Sequence, residues 1–182
     1  MQWKVLKTET VFEHTPFLRI RKEQIEVRPG QIVDDFYQID LRPFSLIVPF
    51  LRNGKVLVIR QYKHGPKSEM LGFPAGYVDP GEAPAKAAER ELMEETGLRV
   101  GRLVSMGGYV DNGNQGGGTG HYFAAFDCDF VKPPAPGDLE EFAYEELTPH
   151  EINSAMQSGE FSVIHHVAAW GLWLMQNTSE TT

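Results

Sequence analysis

Three glutamates, Glu91, Glu94 and Glu95, fall at i, i+3 and i+4 within Ala85 to Thr96, a run of helical composition. That spacing sets all three on one helix face. Like charges so placed destabilise a bare helix, and a cation seated between them removes the repulsion. Carboxylate oxygens are the ligands that hard Mg²⁺ or Mn²⁺ take, with water and phosphate oxygens completing the shell. Arg90 lies four residues before Glu94 and can offset part of the charge while orienting that carboxylate. Ala88 and Leu92 point to another side of the same helix and would pack it on a sheet. Taken alone, an acidic triplet more often marks a solvated surface. Its wider spacing decides between the two.

From Gly76 to Leu98 the chain reads GYVDPGEAPAKAAERELMEETGL. Gly76, Glu82, Arg90, Glu91, Leu92, Glu94, Glu95, Gly97 and Leu98 fill every position of G-x5-E-x7-R-E-U-x-E-E-x-G-U, with U apolar. At average residue usage the seven fixed letters recur by chance on the order of once in 10⁹ starting points. This pattern is the Nudix box, and the sequence resembles Nudix hydrolases. The resemblance implies an α/β fold: an α/β/α sandwich with a mixed sheet, whose box forms a loop–helix–loop around Mg²⁺ or Mn²⁺. By matching positions it makes Glu91 and Glu95 metal ligands, Glu94 a ligand or the base, and the Ala75 carbonyl a further ligand. Arg90 joins the catalytic set, Gly76 lies against substrate, and Glu82 braces the loop. The implied reaction is attack of water on one phosphorus of a diphosphate, with the metal neutralising charge, activating the nucleophile and positioning the substrate.

The resemblance extends over roughly residues 1 to 155, toward ADP-ribose pyrophosphatases and nucleotide-sugar hydrolases. These place an N-terminal β region, here 1–42, before the Nudix domain, here 43–182, and use it in a homodimer. The implied substrate is ADP-ribose or a nucleotide sugar, cut to a nucleoside monophosphate and a sugar phosphate. The strand ending at Arg60 and Lys63 would meet that substrate. An acidic turn, Asp138-Leu139-Glu140-Glu141-Phe142, would supply a base or a further metal ligand through Glu141, or failing that Glu140; a solvated turn is the alternative. Other Nudix substrates, such as dinucleoside polyphosphates, and a non-catalytic nucleotide-binding module are the rival readings. Three departures from the ADP-ribose pattern stand out. Gly72 occupies a position where glutamate is usual. Lys63 replaces arginine and lacks the bidentate fork. A glycine-rich segment, Asn112 to Gly120, takes the place of a proline associated with ADP-ribose specificity. Its amides could cradle phosphate, or it could be a flexible connector.

The elements that must position these residues follow from pattern. The early residues alternate, Leu18 and Ile20, then Ile25 and Val27, with Pro29-Gly30 as a turn. Phe44 to Leu51 and Lys55 to Tyr62 flank Asn53-Gly54, the residues of a two-residue type I′ hairpin. Pro84 and Gly97 bracket the box helix. Leu103 to Val110 and Tyr122 to Phe126 read as strands, with another near Phe142. Thr148-Pro149-His150-Glu151 forms a capping box, and Val163 to Gln176 a last helix. His165, His166, Trp170 and Trp173 in that helix read as packing residues. Strands mixed with helices suit α/β or α+β alike.

The 182 residues, 41% hydrophobic and 23% charged, suit one globular domain with an N-terminal extension. A net charge of −8 argues against general nucleic-acid binding, which needs a basic surface. Cys128 is the only cysteine, so no disulfide can close within the chain. Neither a signal peptide nor a membrane-length apolar run is evident, which makes the cytoplasm the expected compartment.

Overall fold

The computed structural model describes residues 2–135 and 141–178, the side chain of Thr178 excepted. The chain divides into two compact units: residues 1–43 with 109–120, and residues 44–108 with 121–182. In the first unit, β1 (Lys4–His14), β2 (Leu18–Arg28) and β3 (Gln31–Leu41) form an antiparallel meander. Gly30 makes the second turn possible at φ 76°, a left-handed conformation that costs glycine little. Its amide donates to Glu26 Oε1 at 2.9 Å. Asp40 ties β3 to β2 by accepting from Arg19 and Arg21, and Arg21 foremost holds its carboxyl below the ordinary value.

The second unit opens with β4 (Phe44–Leu51) and β5 (Val56–Lys63), joined as an antiparallel hairpin. Its turn differs from the type I′ expectation. The Gly54 amide donates to the Leu51 carbonyl at 3.0 Å, and the Leu51 amide to the Lys55 carbonyl at 2.8 Å, which leaves three residues in the loop. Gly54 is left-handed at φ 81°, whereas Asn53 is not among the positive-φ residues. A type I′ turn needs positive φ at both central residues, so this is a type I turn closed by a left-handed glycine. Asn53 instead accepts the Lys55 amide through Oδ1 at 3.0 Å. Next come β6 (Ser68–Gly72), β7 (Ala75–Tyr77), α1 (Pro84–Thr96) and β8 (Leu98–Arg99). β6 pairs with β5, and β7 with β4.

The long strands β9 (Arg102–Asn112) and β10 (Gly116–Phe130) absorb most of the glycine-rich segment, leaving only 113–115 as a turn. Gly116 and Gly117 pair in parallel with Ile39 and Asp40 of β3, both at φ 81°. The Gly118 amide donates to Asp111 Oδ2 at 3.1 Å. An added Cβ at Gly118 would come within 2.9 Å of the Arg42 carbonyl. These glycines therefore serve strand pairing and close packing, and are neither a long connector nor a run of open amides. β11 (Ala143–Leu147), α2 (Pro149–Gln157) and α3 (Ile164–Thr178) complete the chain. The capping box of α2 is present in full, with Thr148 and Glu151 exchanging bonds.

The second unit shows why the sandwich forms. In it β10, β4, β5 and β11 are successive neighbours. Every residue of β4 after Phe44 is buried, as are Val56 to Ile59 of β5. Side chains alternate between faces, so two cores result. Leu46, Val48, Phe50, Val56 and Val58 pack with Ile152 of α2 and Ala169 and Trp170 of α3. Ile47, Leu51 and Leu57 pack with Ala88 and Leu92 of α1. Helices thus cover both faces, the α/β/α arrangement. A strand buried on both sides reads as a continuous apolar run, as β4 does. Among the described residues no helix is long and apolar enough to cross a membrane.

Candidate active site

The box helix presents two faces. Ala87, Ala88 and Leu92 are fully buried, the latter two against the sheet, and burying the Leu92 side chain contributes about 1.5–3 kcal/mol. Pro84 takes the first turn, where its missing N–H is no loss. The Ala83 side chain makes no cap. Gly97 ends the helix in the left-handed conformation at φ 71°, its amide donating to the Met93 carbonyl.

On the other face Glu91 and Glu95 converge on one short stretch of chain. Glu95 is only 6% exposed, and its Oε2 accepts the Ala75 amide at 3.0 Å. Glu91 lies against Gly76 so closely that a Cβ there would stand 2.0–2.2 Å from its carboxylate. Only glycine fits. Burial pushes the Glu91 carboxyl above its ordinary value, against the pull of the neighbouring Arg90.

Arg90 is the hub of the remaining charge. Its Nε and Nη2 meet Glu82 at 3.0 and 2.9 Å, a bidentate pair. Nη1 reaches Glu91 at 2.7 Å and Glu94 at 3.2 Å, and Nη2 also donates to the Tyr77 carbonyl at 3.0 Å. Glu82 in turn accepts the Asp79 amide at 3.1 Å. Arg90 first, and that amide second, hold the Glu82 carboxyl down at about 2. Glu82 therefore ties the loop before α1 to the helix. Glu94 is the most exposed of the three box acids, its side chain 49% accessible.

Among the described residues no three acidic, histidine or cysteine side chains form a ready metal cage. Arg90 supplies the balancing positive charge in that arrangement. The donor set nonetheless fits a hard divalent cation. Two carboxylates flank the Ala75–Gly76 strand, glycine at 76 leaves the space a Cβ would fill, and all available donors are oxygens.

The C-terminal end of α1 is hydrogen-bonded by residues 131–135 and by β11. The Ala135 amide donates to the Glu94 carbonyl at 2.8 Å, and the Val131 amide to the Gly97 carbonyl at 3.0 Å. A Cβ at Gly97 would lie 2.0 Å from the Lys132 carbonyl, so glycine is required there twice over. Beyond the turn, the Tyr144 hydroxyl of β11 donates to the Glu95 carbonyl at 2.6 Å. Burial raises that hydroxyl's pKa, as does the Glu95 charge. Glu140 lies outside the described residues, and Glu141 is exposed at the start of the run into β11. Nothing in the sequence pointed to Tyr144 as an anchor, because a bond to a carbonyl 49 residues away has no periodicity.

Arg60 is engaged elsewhere. Its guanidinium meets Glu145 of β11 at 2.6 Å and Glu160 at 3.0 Å, tying β5 to β11 and to the segment before α3. Lys63 ends β5 and is partly buried. Gly72, where the resembling enzymes carry glutamate, has His166 over it: a Cβ would stand 2.9 Å from the imidazole. The Phe73 amide donates to His166 Nδ1 at 3.0 Å. His166 was read from sequence as a packing residue; its bond to the loop leading into the box was not foreseen, and the glycine at 72 was the one available signal.

Comparison with known proteins agrees with this architecture. The chain is 46% identical over 63 residues to the ADP compounds hydrolase NudE of Escherichia coli, an alignment taking in 35% of this chain and 33% of that one. It thus spans about a third of that relative. It is 30% identical over 155 residues to a methanol dehydrogenase activator of Bacillus methanolicus, covering 85% of this chain and 81% of the relative. A crystal structure of an ADP compounds hydrolase superposes with a TM-score of 0.83 at 22% identity, over 100% of this chain and 97% of the other, which shows a common fold. The NUDIX domain model matches residues 41–167, enclosing the whole box and most of the sandwich. This protein belongs to the Nudix family.

Proposed function

We propose that the protein hydrolyses the diphosphate bond of an ADP-ribose-like compound, ADP-ribose itself or a nucleotide sugar, to a nucleoside monophosphate and a sugar phosphate. The observation that carries this reading is the convergence of Glu91 and Glu95 on Ala75–Gly76. Glu91, Glu95 and the Ala75 carbonyl would hold Mg²⁺ or Mn²⁺, with Glu94 as a further ligand or a base. When bound, the cation neutralises phosphate charge and lowers the pKa of water. That is how a chain of net charge −8 accepts an anionic substrate.

The chain's own residues do the rest. Glu95, fixed by the Ala75 amide and by Tyr144 on its carbonyl, keeps one orientation without substrate. Arg90 donates to both Glu91 and Glu94 and so fixes their orientation. Glu141 takes a proton from the attacking water. Its support is the anchoring of the segment on either side of it to the last turn of α1, at Ala135 and at Tyr144; Glu140 shares that placement in sequence. Lys63 and Gly76 contact the substrate, whereas Arg60 meets it only by giving up Glu145 or Glu160. The relative named as an ADP compounds hydrolase favours an adenosine diphosphate substrate. The N-terminal unit, residues 1–42 in the sequence reading, pairs two copies into a homodimer; its exposed Trp3, Val5, Phe12, Phe17 and Ile32 are surface that association would cover.

The test is a screen of ADP-ribose, nucleotide sugars, dinucleotides and dinucleoside polyphosphates with Mg²⁺, with Mn²⁺ and with chelator, the products resolved by mass. AMP and ribose 5-phosphate from ADP-ribose, abolished by chelator, is the expected result. Failure to release a nucleoside monophosphate from any of these with either metal refutes the reading.

A further inference from the structure

We propose that His166, on α3, is a positioning residue for the Ala75 side of the metal site. This rests on the reading that the Ala75 carbonyl, Glu91 and Glu95 hold the cation. The chain between β6 and β7 is irregular, so its path depends on individual hydrogen bonds. Among the described residues, four hold it and the strand ends on either side. The Leu71 amide donates to the Glu160 carbonyl at 2.9 Å, and the Ile47 amide to the Pro74 carbonyl at 3.0 Å. The Ala75 amide donates to Glu95 and the Phe73 amide to His166 Nδ1, each at 3.0 Å. Two of these partners are backbone and a third is a box carboxylate. Among the described residues, His166 is a side chain from outside the box that holds the approach to Ala75.

The site is built for an imidazole. Phe73 is 1% exposed and His166 7%, so the Phe73 amide cannot turn to water in place of the ring. Nδ1 accepts, which puts the ring proton on Nε2 and leaves the imidazole neutral. The ring lies over Gly72, Cε1 and Nε2 standing 2.9 and 3.0 Å from where a Cβ would be, and Phe73 and Phe161 flank it. Glycine at 72 and histidine at 166 are thus one fitted pair, and Ala75 is two residues from the amide they hold. Groups that orient metal ligands from behind commonly control affinity as much as orientation.

The experiment measures Mn²⁺ binding to the full chain without nucleotide, by the loss of the free-ion EPR signal, for wild type, His166→Leu, His166→Asn and Glu95→Gln. Circular dichroism and thermal melting report folding for each. His166→Leu removes the acceptor and is expected to weaken Mn²⁺ binding about tenfold, while His166→Asn, whose amide oxygen can take the place of Nδ1, stays within about threefold of wild type. Turnover of His166→Leu recovers as Mn²⁺ is raised, which a merely loosened fold would not do. Folded His166→Leu with wild-type affinity, beside a weakened Glu95→Gln, overturns the positioning role and leaves the metal site standing. Equal weakening of the Leu and Asn variants overturns it as well. Wild-type Mn²⁺ affinity in Glu95→Gln refutes the metal reading itself. Should His166→Leu not fold, Gly72→Ala displaces the ring while keeping it, and unchanged Mn²⁺ affinity there counts against the proposal.

Discussion

Gly76→Ala tests the site with one methyl group. The new Cβ would stand 2.2 Å from both Glu91 carboxylate oxygens and 2.0 Å from the carbon between them. Ordinary contact for a Cβ begins at 3.4 Å, so the carboxylate oxygens must retreat by roughly 1.2 Å, or β7 must move by as much. Glu91 is half-buried and pinned by Arg90 at 2.7 Å, which leaves it little room to yield in place. A displacement of about 1 Å in a catalytic arrangement costs on the order of 10²-fold in rate, or ~2.7 kcal/mol of barrier. We expect kcat/KM for ADP-ribose to fall by at least that factor at fixed Mn²⁺, with a near wild-type melting temperature. Gly65→Ala is the control, since no atom lies within 4 Å of its would-be Cβ and its φ is ordinary. Wild-type kcat/KM and Mn²⁺ affinity in Gly76→Ala would refute the reasoning, because the methyl would then have been accommodated without disturbing a ligand.

Four further outcomes are expected. Glu95→Gln lowers turnover by several orders of magnitude while circular dichroism stays native; wild-type activity would contradict the assignment. Glu141→Gln slows catalysis less severely and alters the pH–rate profile, and an unchanged profile would remove it from the mechanism. Leu92→Ala, at a site with no solvent exposure, costs about 2–5 kcal/mol in urea unfolding, and a loss well under 1 kcal/mol would mean α1 is not packed as described. His166 links stability to pH. Burial, with smaller effects from His165 and Lys63, lowers its pKa from 6.5 to about 3. Between those values the unfolded chain binds a proton that the folded chain does not. Stability therefore falls as pH drops, by about 1.4 kcal/mol per unit, or ~2 kcal/mol by pH 5. In urea unfolding, wild type should lose about that much more stability than His166→Asn between pH 7 and pH 5, and parallel pH dependence would refute it.

What the sequence disclosed and what it withheld divide along a physical line. The box helix, the β4–β5 hairpin and the capping box of α2 are local: spacing, a terminating glycine or a Thr-x-x-Glu pattern states each within a dozen residues. The convergence of Glu91 and Glu95 is local too, since one helical turn enforces it. The turn at Asn53-Gly54 was misjudged because the same dipeptide closes two- and three-residue loops, and the choice falls to the twist and register of the strands. Segment 112–120 misled because glycine gives no alternation to read. Its place in β10 depends on Ile39 and Asp40, more than seventy residues earlier. Contacts of that range also give Arg60 its partners Glu145 and Glu160, which no local pattern announces.

The burial of β4 on both faces has a consequence for how the molecule breathes. Amides of a strand with no wet side can exchange with deuterium only when the surrounding sandwich opens, so β4 and the first half of β5 should be the last to label and should report the global unfolding free energy. Every residue of β1 is exposed, and its amides should label by local fraying long before. A mass-spectrometric labelling course would then separate into an early phase from residues 4–14 and a late one from 45–51 and 56–59.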